Sequence, residues 1–243
     1  MNITNKSSRD YIIDEYDDKK YIDATFQNYN FIIVKGGDGS LLKAIHKFKY
    51  KDKPFFGIAG GTENFLMNNS LPNNPIIKKF NLIKVKIKYL NLERDLASID
   101  DHYVEREKTF YAFNDIMIGG DMNSWIDFNV EDKDNIIGHF KGGGLIISTP
   151  QGSTGINKNN GGVILPLSSH NWSITGDKTN RKINYVLDPH KTTIKCSSRT
   201  PITVWVDGSN KVIKNVISVT VSKGDKIKLA FNDISEFKAK RKI

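Results

Sequence analysis

One stretch limits the folds open to this chain more than any other: Phe31-Ile32-Ile33-Val34-Lys35-Gly36-Gly37-Asp38-Gly39-Ser40-Leu41-Leu42. Four apolar residues in a row read as a buried strand. Glycines at 36, 37 and 39 then break it, and Leu41, Leu42, Ala44, Ile45 and Phe48 recur close to a helical period. The stretch predicts strand, tight loop, helix. Such a loop leaves main-chain N–H groups bare at a helix N-terminus, where the dipole favours an anion. Glycines also let a phosphate come close to the main chain. Asp38 lies inside this loop. An acid beside a bound phosphate is electrostatically costly unless a metal or a proton transfer uses it. The loop therefore suggests nucleotide chemistry, with Asp38 as base or metal partner. The plainer reading is a Gly-rich βα turn with a capping Asp.

The same texture repeats once. Residues 43–53 complete the helix, Pro54 ends it, and Phe55-Phe56-Gly57-Ile58-Ala59 reads as a second buried strand. Gly60-Gly61-Thr62 then turns into a short predicted helix, Glu63 to Asn68, with Thr62 as its N-cap. Two strand–Gly turn–helix units in succession indicate a parallel α/β layer. Ahead of them, residues 1–30 fit either a short strand or a helix.

From Asn81 onward period-2 segments dominate: Lys84–Tyr89, Leu92–Ile99, Thr109–Ile118, Trp125–Val130, Leu145–Ser148, Thr192–Cys196, Ile202–Val206, Val216–Val221 and Lys226–Phe231. Turns are expected at Asp100-Asp101, residues 131–134, Asp207-Gly208 and Lys223-Gly224-Asp225. This reads as a mostly antiparallel β domain. The expected organisation is a truncated, Rossmann-like α/β domain over 1–80, a β-rich domain over 81–232, and a tail over 233–243. Within that tail, Ile234 to Lys238 fits a short helix returning to the first domain.

A net charge of +9 favours anionic ligands. Ile83-Lys84-Val85-Lys86-Ile87-Lys88 is a strand with one wet basic face, and no aromatic-plus-basic nucleic-acid signature accompanies it. A small anionic substrate accounts for the charge, so neither nucleic acid nor membrane is expected as a partner. No apolar run is long enough to span a bilayer, and the first residues lack the apolar core of a signal peptide. The single cysteine, Cys196, lies in an alternating run and fits a reducing cytosol, so a cytoplasmic location is expected. His46, His102, His139, His170 and His190 show no metal-ligand spacing, so no protein-built metal site is expected.

Two further stretches carry chemistry. Lys141-Gly142-Gly143-Gly144-Leu145-Ile146-Ile147-Ser148 runs into Thr149-Pro150-Gln151-Gly152-Ser153-Thr154-Gly155-Ile156-Asn157. Small hydroxyl residues and bare N–H groups at what looks like a helix start suit ribose, phosphate or amide recognition; a Ser/Thr/Gly cap is the plainer reading. In Ala112-Phe113-Asn114-Asp115-Ile116, an Asn-Asp pair interrupts an apolar strand. It is either a strand end or bulge, or an amide that hydrogen-bonds a nucleobase or ribose.

Taken together, Gly36–Ser40, Asn114-Asp115 and Thr149–Ile156 resemble, in the same order, the motifs of the NAD kinase family: Gly-Gly-Asp-Gly-Thr, Asn-Glu and Thr-Pro-Thr-Gly-Ser-Thr-Ala-Tyr. Gly161-Gly162 and Val206-Asp207-Gly208 resemble further family features. The resemblance implies an N-terminal α/β domain, a β-rich C-terminal domain, and phosphoryl transfer from ATP or polyphosphate to the 2′-hydroxyl of the adenosine ribose of NAD. It implies Asp38 as the base and a divalent metal, magnesium, on the donor phosphates. It also implies a homodimer or homotetramer. The residues it draws into nucleotide binding are Gly36, Gly37, Gly39, Ser40, Phe65, Asn114, Asp115, Lys141, Ser153, Thr154, Gly155, Asn157 and His190.

The chain departs from the family where Arg-Gly-Asp-Gly is replaced by Lys141-Gly142-Gly143-Gly144 and Ala-Tyr by Gly155-Ile156. The family's Asn-Thr-Gly-x-Leu-Gly-Phe-Leu turn becomes Ala59–Leu66. Two other readings accompany the resemblance. A lipid or sphingoid kinase shares the Gly-Gly-Asp-Gly loop but has no counterpart of the Gly152–Gly155 segment. A non-catalytic dinucleotide-binding relative is motivated by Gly143 and Ile156.

Overall fold

The computed structural model describes residues 13–15, 21–26, 29–49, 52–60, 62, 64–94, 101–120, 125–132, 135–188, 192–198, 201–208 and 213–233. The chain forms two units, Met1–Phe80 with Lys226–Ile243, and Asn81–Asp225. The expected tail helix at 234–238 lies outside the described residues.

In the first unit, β1 (Ile13–Glu15), β2 (Tyr21–Phe26) and β3 (Tyr29–Gly36) pair antiparallel in sequence. The described residues of the early segment are therefore strand. Helix α1 (Asp38–Phe48) crosses to β4 (Phe55–Ala59), which lies parallel to β3 with Ile32 opposite Phe55 and Gly36 opposite Ala59. Leu229 also pairs in parallel with Phe55. All four residues of the apolar run 31–34 are 7% exposed or less, so β3 is covered on both faces. Phe31, Ile33, Phe56 and Ala230 cluster, with Ile58 and Ile77 against them, and the Phe31 and Phe56 rings meet edge to face at 6.2 Å. Helix α1 buries Leu41, Ala44, Ile45 and Phe48, the i, i+3, i+4, i+7 stripe of an amphipathic helix.

The second unit is built from β5 (Ile76–Arg94, whose residues 76–80 belong to the first unit), β6 (Asp101–Ala112), β7 (Asp115–Gly119), β8 (Ile126–Asp132), β9 (Asn135–Ser148), the single-turn α2 (Ile156–Asn159), β10 (Trp172–Thr179), β11 (Asn184–Leu187), β12 (Thr192–Ser197), β13 (Thr203–Val206) and β14 (Val216–Phe231, whose residues 226–231 belong to the first unit). The pairings among β5–β13 are antiparallel. Strand β9 pairs with β8 over its first half and with β7 over its second, while β10 runs beside residues 142–148. Ile116, Ile118, Phe128, Phe140, Leu145, Trp172 and Val204 lie in one continuous buried cluster.

Several boundaries differ from the sequence reading. Lys84–Tyr89 and the start of Leu92–Ile99 form one strand, because the β5–β6 ladder runs unbroken to Arg94↔Asp101. The expected turn at Lys223-Gly224-Asp225 is interior to β14. A Cβ on Gly224 would sit 3.1 Å from both the Leu82 carbonyl and the Lys84 nitrogen, so this glycine admits a close main-chain approach instead of a turn. Strands β10 and β11 do not stand out in the sequence. In β10, Ser173 and Thr175 are as buried as Trp172 and Ile174, and no alternation survives to mark it.

The helix expected over Glu63–Asn68 does not form among the described residues; Phe65-Leu66 is a turn. The reason is competition for the Asn68 N–H, which a helix would give to the Asn64 carbonyl. The Phe65 and Leu66 N–H groups go to the Asp38 carboxylate, and the Asn68 N–H goes to the Gly57 carbonyl at 2.8 Å. The Asn68 side chain, 2% exposed, donates to the carbonyls of Gly57 (3.0 Å) and Ala230 (3.1 Å) and accepts from the Asn232 N–H (2.9 Å). It joins the end of β4 to the returning chain. Asn68→Ala strands these buried partners and should cost roughly 2–4 kcal/mol of stability, read by urea unfolding followed by far-UV circular dichroism. A loss under about 0.5 kcal/mol, the size of a surface change, would remove Asn68 as the joint.

Candidate functional site

In the first unit the glycine loop sits at the carboxyl end of β3, where ligands bind in parallel sheets. Gly36 has φ +149°, a conformation that favours glycine, and a Cβ there would lie 2.4 Å from the Ser40 hydroxyl oxygen. Gly37 is the N-cap of α1 and is extended, with no side chain capping the helix. Gly39 opens onto free space. The Gly60 N–H donates to the Gly36 carbonyl at 2.8 Å, so the turns ending β3 and β4 lie side by side. Asp38 is the first helical residue. Its Oδ2 accepts from the Phe65 N–H and its Oδ1 from the Leu66 N–H, both at 2.8 Å. This answers the puzzle of an acid in a phosphate-type loop. The carboxylate is fixed by two main-chain donors from a second turn, while the first-turn N–H groups of α1 have no side-chain cap. Gly36, Gly37, Asp38, Gly39, Ser40 and Phe65 are thus one local constellation.

In the second unit a cavity of about 390 Å³ is lined by Asn114, Asp115, Met117, Ile156, Trp205, Asp207 and Gly208. Its geometry follows from the corner between β6 and β7. Asp207 has a left-handed backbone (φ +54°) and is 7% exposed. Its carboxylate accepts the N–H groups of Phe113 (2.7 Å), Asn114 (2.7 Å) and Asp115 (3.0 Å). From the other side, the Thr149 hydroxyl donates to the carbonyls of Phe113 (2.8 Å) and Asn114 (2.9 Å), and the Gln151 amide donates to the Phe113 carbonyl at 2.7 Å. A Cβ on Gly152 would fall 2.2 Å from the Asn114 carbonyl oxygen, so only glycine passes there. The Asn114-Asp115 pair marks a strand end, as the plainer reading allows, and is a clamped corner at the cavity.

Asp115 is the electrostatic outlier of the site. Burial, and secondarily the negative charge of Asp207, push its carboxyl up to about 7.

Of the remaining residues expected at the site, Ser153, Asn157 and Lys141 turn their side chains away from the cavity. Ser153 is fully buried; its hydroxyl donates to the Pro150 carbonyl (2.8 Å) and accepts from the Leu165 N–H (3.0 Å). Asn157 is also fully buried, with its amide on the Ser153 and Val163 carbonyls and its oxygen taken by the Thr175 hydroxyl at 2.6 Å. Both side chains hold the 150–165 segment together instead of lining the cavity, because their polar atoms are engaged inside. Thr154 is half-buried and Gly155 exposed, just ahead of α2. Lys141 points to Asp127 at 3.1 Å on the neighbouring strand and does not line the cavity. His190 lies outside the described residues. Met117, Trp205 and Asp207 are cavity residues that the sequence reading misses. The period-2 parity of β7 and β13 is the available signal for the first two, and the Asp207-Gly208 pair for the third.

Since the free Asp carboxyl titrates near 3.8, folded Asp115 holds a proton between about pH 4 and 7 that the unfolded chain has lost. Its contribution is therefore neutral below about pH 4 and destabilising above about pH 7. Asp115→Asn should stabilise the protein by about 1–3 kcal/mol at pH 8, with the gain vanishing toward pH 4. Urea unfolding at a series of pH values checks this; a gain independent of pH would refute the assignment.

No protein-family model matches the chain. Known relatives do. It is 30% identical over 206 residues to an NAD kinase of Finegoldia magna, covering 78% of this chain and 74% of that protein. It is 30% identical over 205 residues to NAD kinase 1 of Halalkalibacterium halodurans, covering 79% and 76%. With an NAD kinase of Rickettsia canadensis the identity is 30% over 240 residues, 95% of this chain and 91% of that one. Among solved structures, the fold resembles an NAD kinase from Archaeoglobus fulgidus in complex with ATP, with a TM-score of 0.66, 20% identity, and 87% and 80% of the two chains covered. It also resembles yeast NADH kinase complexed with NADH, with a TM-score of 0.69, 16% identity, and 85% and 64% covered. With this fold, and 30% identity across nearly the whole length of a known relative, the chain belongs to the NAD kinase family.

Proposed function

We propose that this protein is an NAD kinase that transfers the terminal phosphoryl group of ATP, or of polyphosphate, to the 2′-hydroxyl of the adenosine ribose of NAD, giving NADP. The observation that carries this is Asp38. In a chain of the NAD kinase family, a carboxylate is pinned by two main-chain N–H groups at the start of a helix, beside two adjoining glycine turns. A ribose hydroxyl is a poor nucleophile. Asp38 accepts its proton as the 2′-oxygen forms a bond to the transferred phosphorus and the bond from that phosphorus to the leaving ADP oxygen breaks. The donors of the Gly36–Ser40 loop hold donor phosphates. Asn114 and Asp115 hold the adenosine side of NAD, and Thr154 and Gly155 contribute main-chain and hydroxyl contacts.

Magnesium, when bound, offsets charge on the transferring phosphates. Among the described residues no group of three His, Cys, Asp or Glu side chains could hold it. The single cysteine fits a cytoplasmic location, and the family resemblance a homodimer or homotetramer. The lipid-kinase and non-catalytic readings are not favoured, since the relatives matching 95% of the chain are NAD kinases.

Incubation with ATP, magnesium and NAD, followed by an NADP-specific dehydrogenase, should yield NADPH. Asp38→Asn should lower kcat by about 10²–10⁴-fold, with ATP and NAD affinities by calorimetry little changed. Unchanged turnover would remove Asp38 as the base.

A further inference from the structure

The face of the β7–β13 pair that lines the cavity has a feature the phosphoryl chemistry does not use. Trp205 stands directly opposite Met117 in the register of these strands. Residues of the other parity, Ile116, Ile118, Val204 and Val206, are 1% exposed or less and belong to the core. By strand alternation Met117 and Trp205 share the opposite face with Asp115 and Asp207, one step further along each strand. The indole lies over bare main chain: a Cβ on Gly119 would be 3.2 Å from Trp205 Cζ3. The Met117 methyl lies 3.5 Å from the Cβ position of Gly144 and 3.6 Å from that of Gly119. Trp172 is 1% exposed and sealed in the core, whereas Trp205 is half-buried and faces the cavity.

A large half-buried flat side chain facing the cavity, a polarizable thioether beside it, and an amide residue, Asn114, in the same lining suit one class of guest. That guest is a planar heteroaromatic ring, apolar on its faces and hydrogen-bonding at its edge. Resting on the reading that this protein takes a dinucleotide, we infer that Trp205, with Met117 beside it, is the platform on which one base of the dinucleotide stacks. It is thereby a specificity-determining residue of this chain. The base is the adenine or the nicotinamide, and the two are separable by experiment.

The test uses the full-length protein with Trp205→Ala and Trp205→Phe. Stacking contributes enough that Trp205→Ala should raise KM for NAD about tenfold or more, with a smaller effect on kcat and none on KM for ATP. Trp205→Phe should recover most of the loss. Titration with NAD should quench the intrinsic fluorescence of the wild type and of Trp125→Phe, but not of Trp205→Phe. Quenching by AMP alone assigns adenine, and by nicotinamide mononucleotide alone assigns nicotinamide. If Trp205→Ala does not fold, the fluorescence of Trp205→Phe decides: quenching that persists there overturns the inference. So does an unchanged KM for NAD in a folded Trp205→Ala. In both cases a wild type that still converts NAD leaves the kinase reading standing. A wild type that neither binds nor converts NAD overturns both.

Discussion

The arrangement of the second unit depends on a single carboxylate. Asp207 gathers three consecutive main-chain N–H groups at the point where β6 gives way to β7. Phe113 and Asn114 lie between the two strands, and burying these N–H groups unpaired would be costly. With the carboxylate in place the chain can turn and begin β7 in register with β9. The opposing carbonyls are met by Thr149 and Gln151, so both edges of the corner are satisfied from distant sequence. The same charge raises the cost of ionising Asp115 next to it. Structural fixation and the unusual acid are two results of one interaction.

The first unit solves a related problem with the roles reversed. Here the acid belongs to the glycine loop and the donors come from elsewhere. Asp38 takes the N–H groups of Phe65 and Leu66 from the 64–68 turn. Buried Asn68 completes the turn against Gly57, Ala230 and Asn232. A loop with three glycines has much conformational freedom. Helix α1 on one side and the 64–68 turn on the other remove that freedom and leave the loop's main-chain donors defined.

Local features are legible in the sequence and distant ones are not. The strand, glycine loop and helix of 31–48 are contiguous, and each of β3, α1 and β4 follows from neighbouring residues. The mostly antiparallel texture after Asn81 is equally plain from alternation. The clamp on Asn114 is hidden, since Asp207 acts across 94 positions to Phe113. Composition misleads at Ser153 and Asn157. Small polar residues in a glycine-rich segment look like ligand contacts, but buried polar groups can also be satisfied internally, as these are. The helix expected at 63–68 fails for a similar reason, because long-range acceptors outcompete the local ones. Trp205 is readable only as one more apolar strand residue until its partner strand is known.

The three glycines of β9 lie where that strand exchanges one neighbour for another, and they are not equivalent. A Cβ at 142 would strike Thr179 at 2.6 Å and one at 144 would strike the Ile118 carbonyl at 2.9 Å, whereas at 143 the nearest atoms are at ordinary contact distance, 3.4 Å or more. Selection can therefore write freely on only the middle letter of this triplet. A lineage can gain or lose a side chain at 143, beside the Asp177 carboxylate, in one mutational step without repacking the sheet. Its flanking positions stay locked by the backbone they touch.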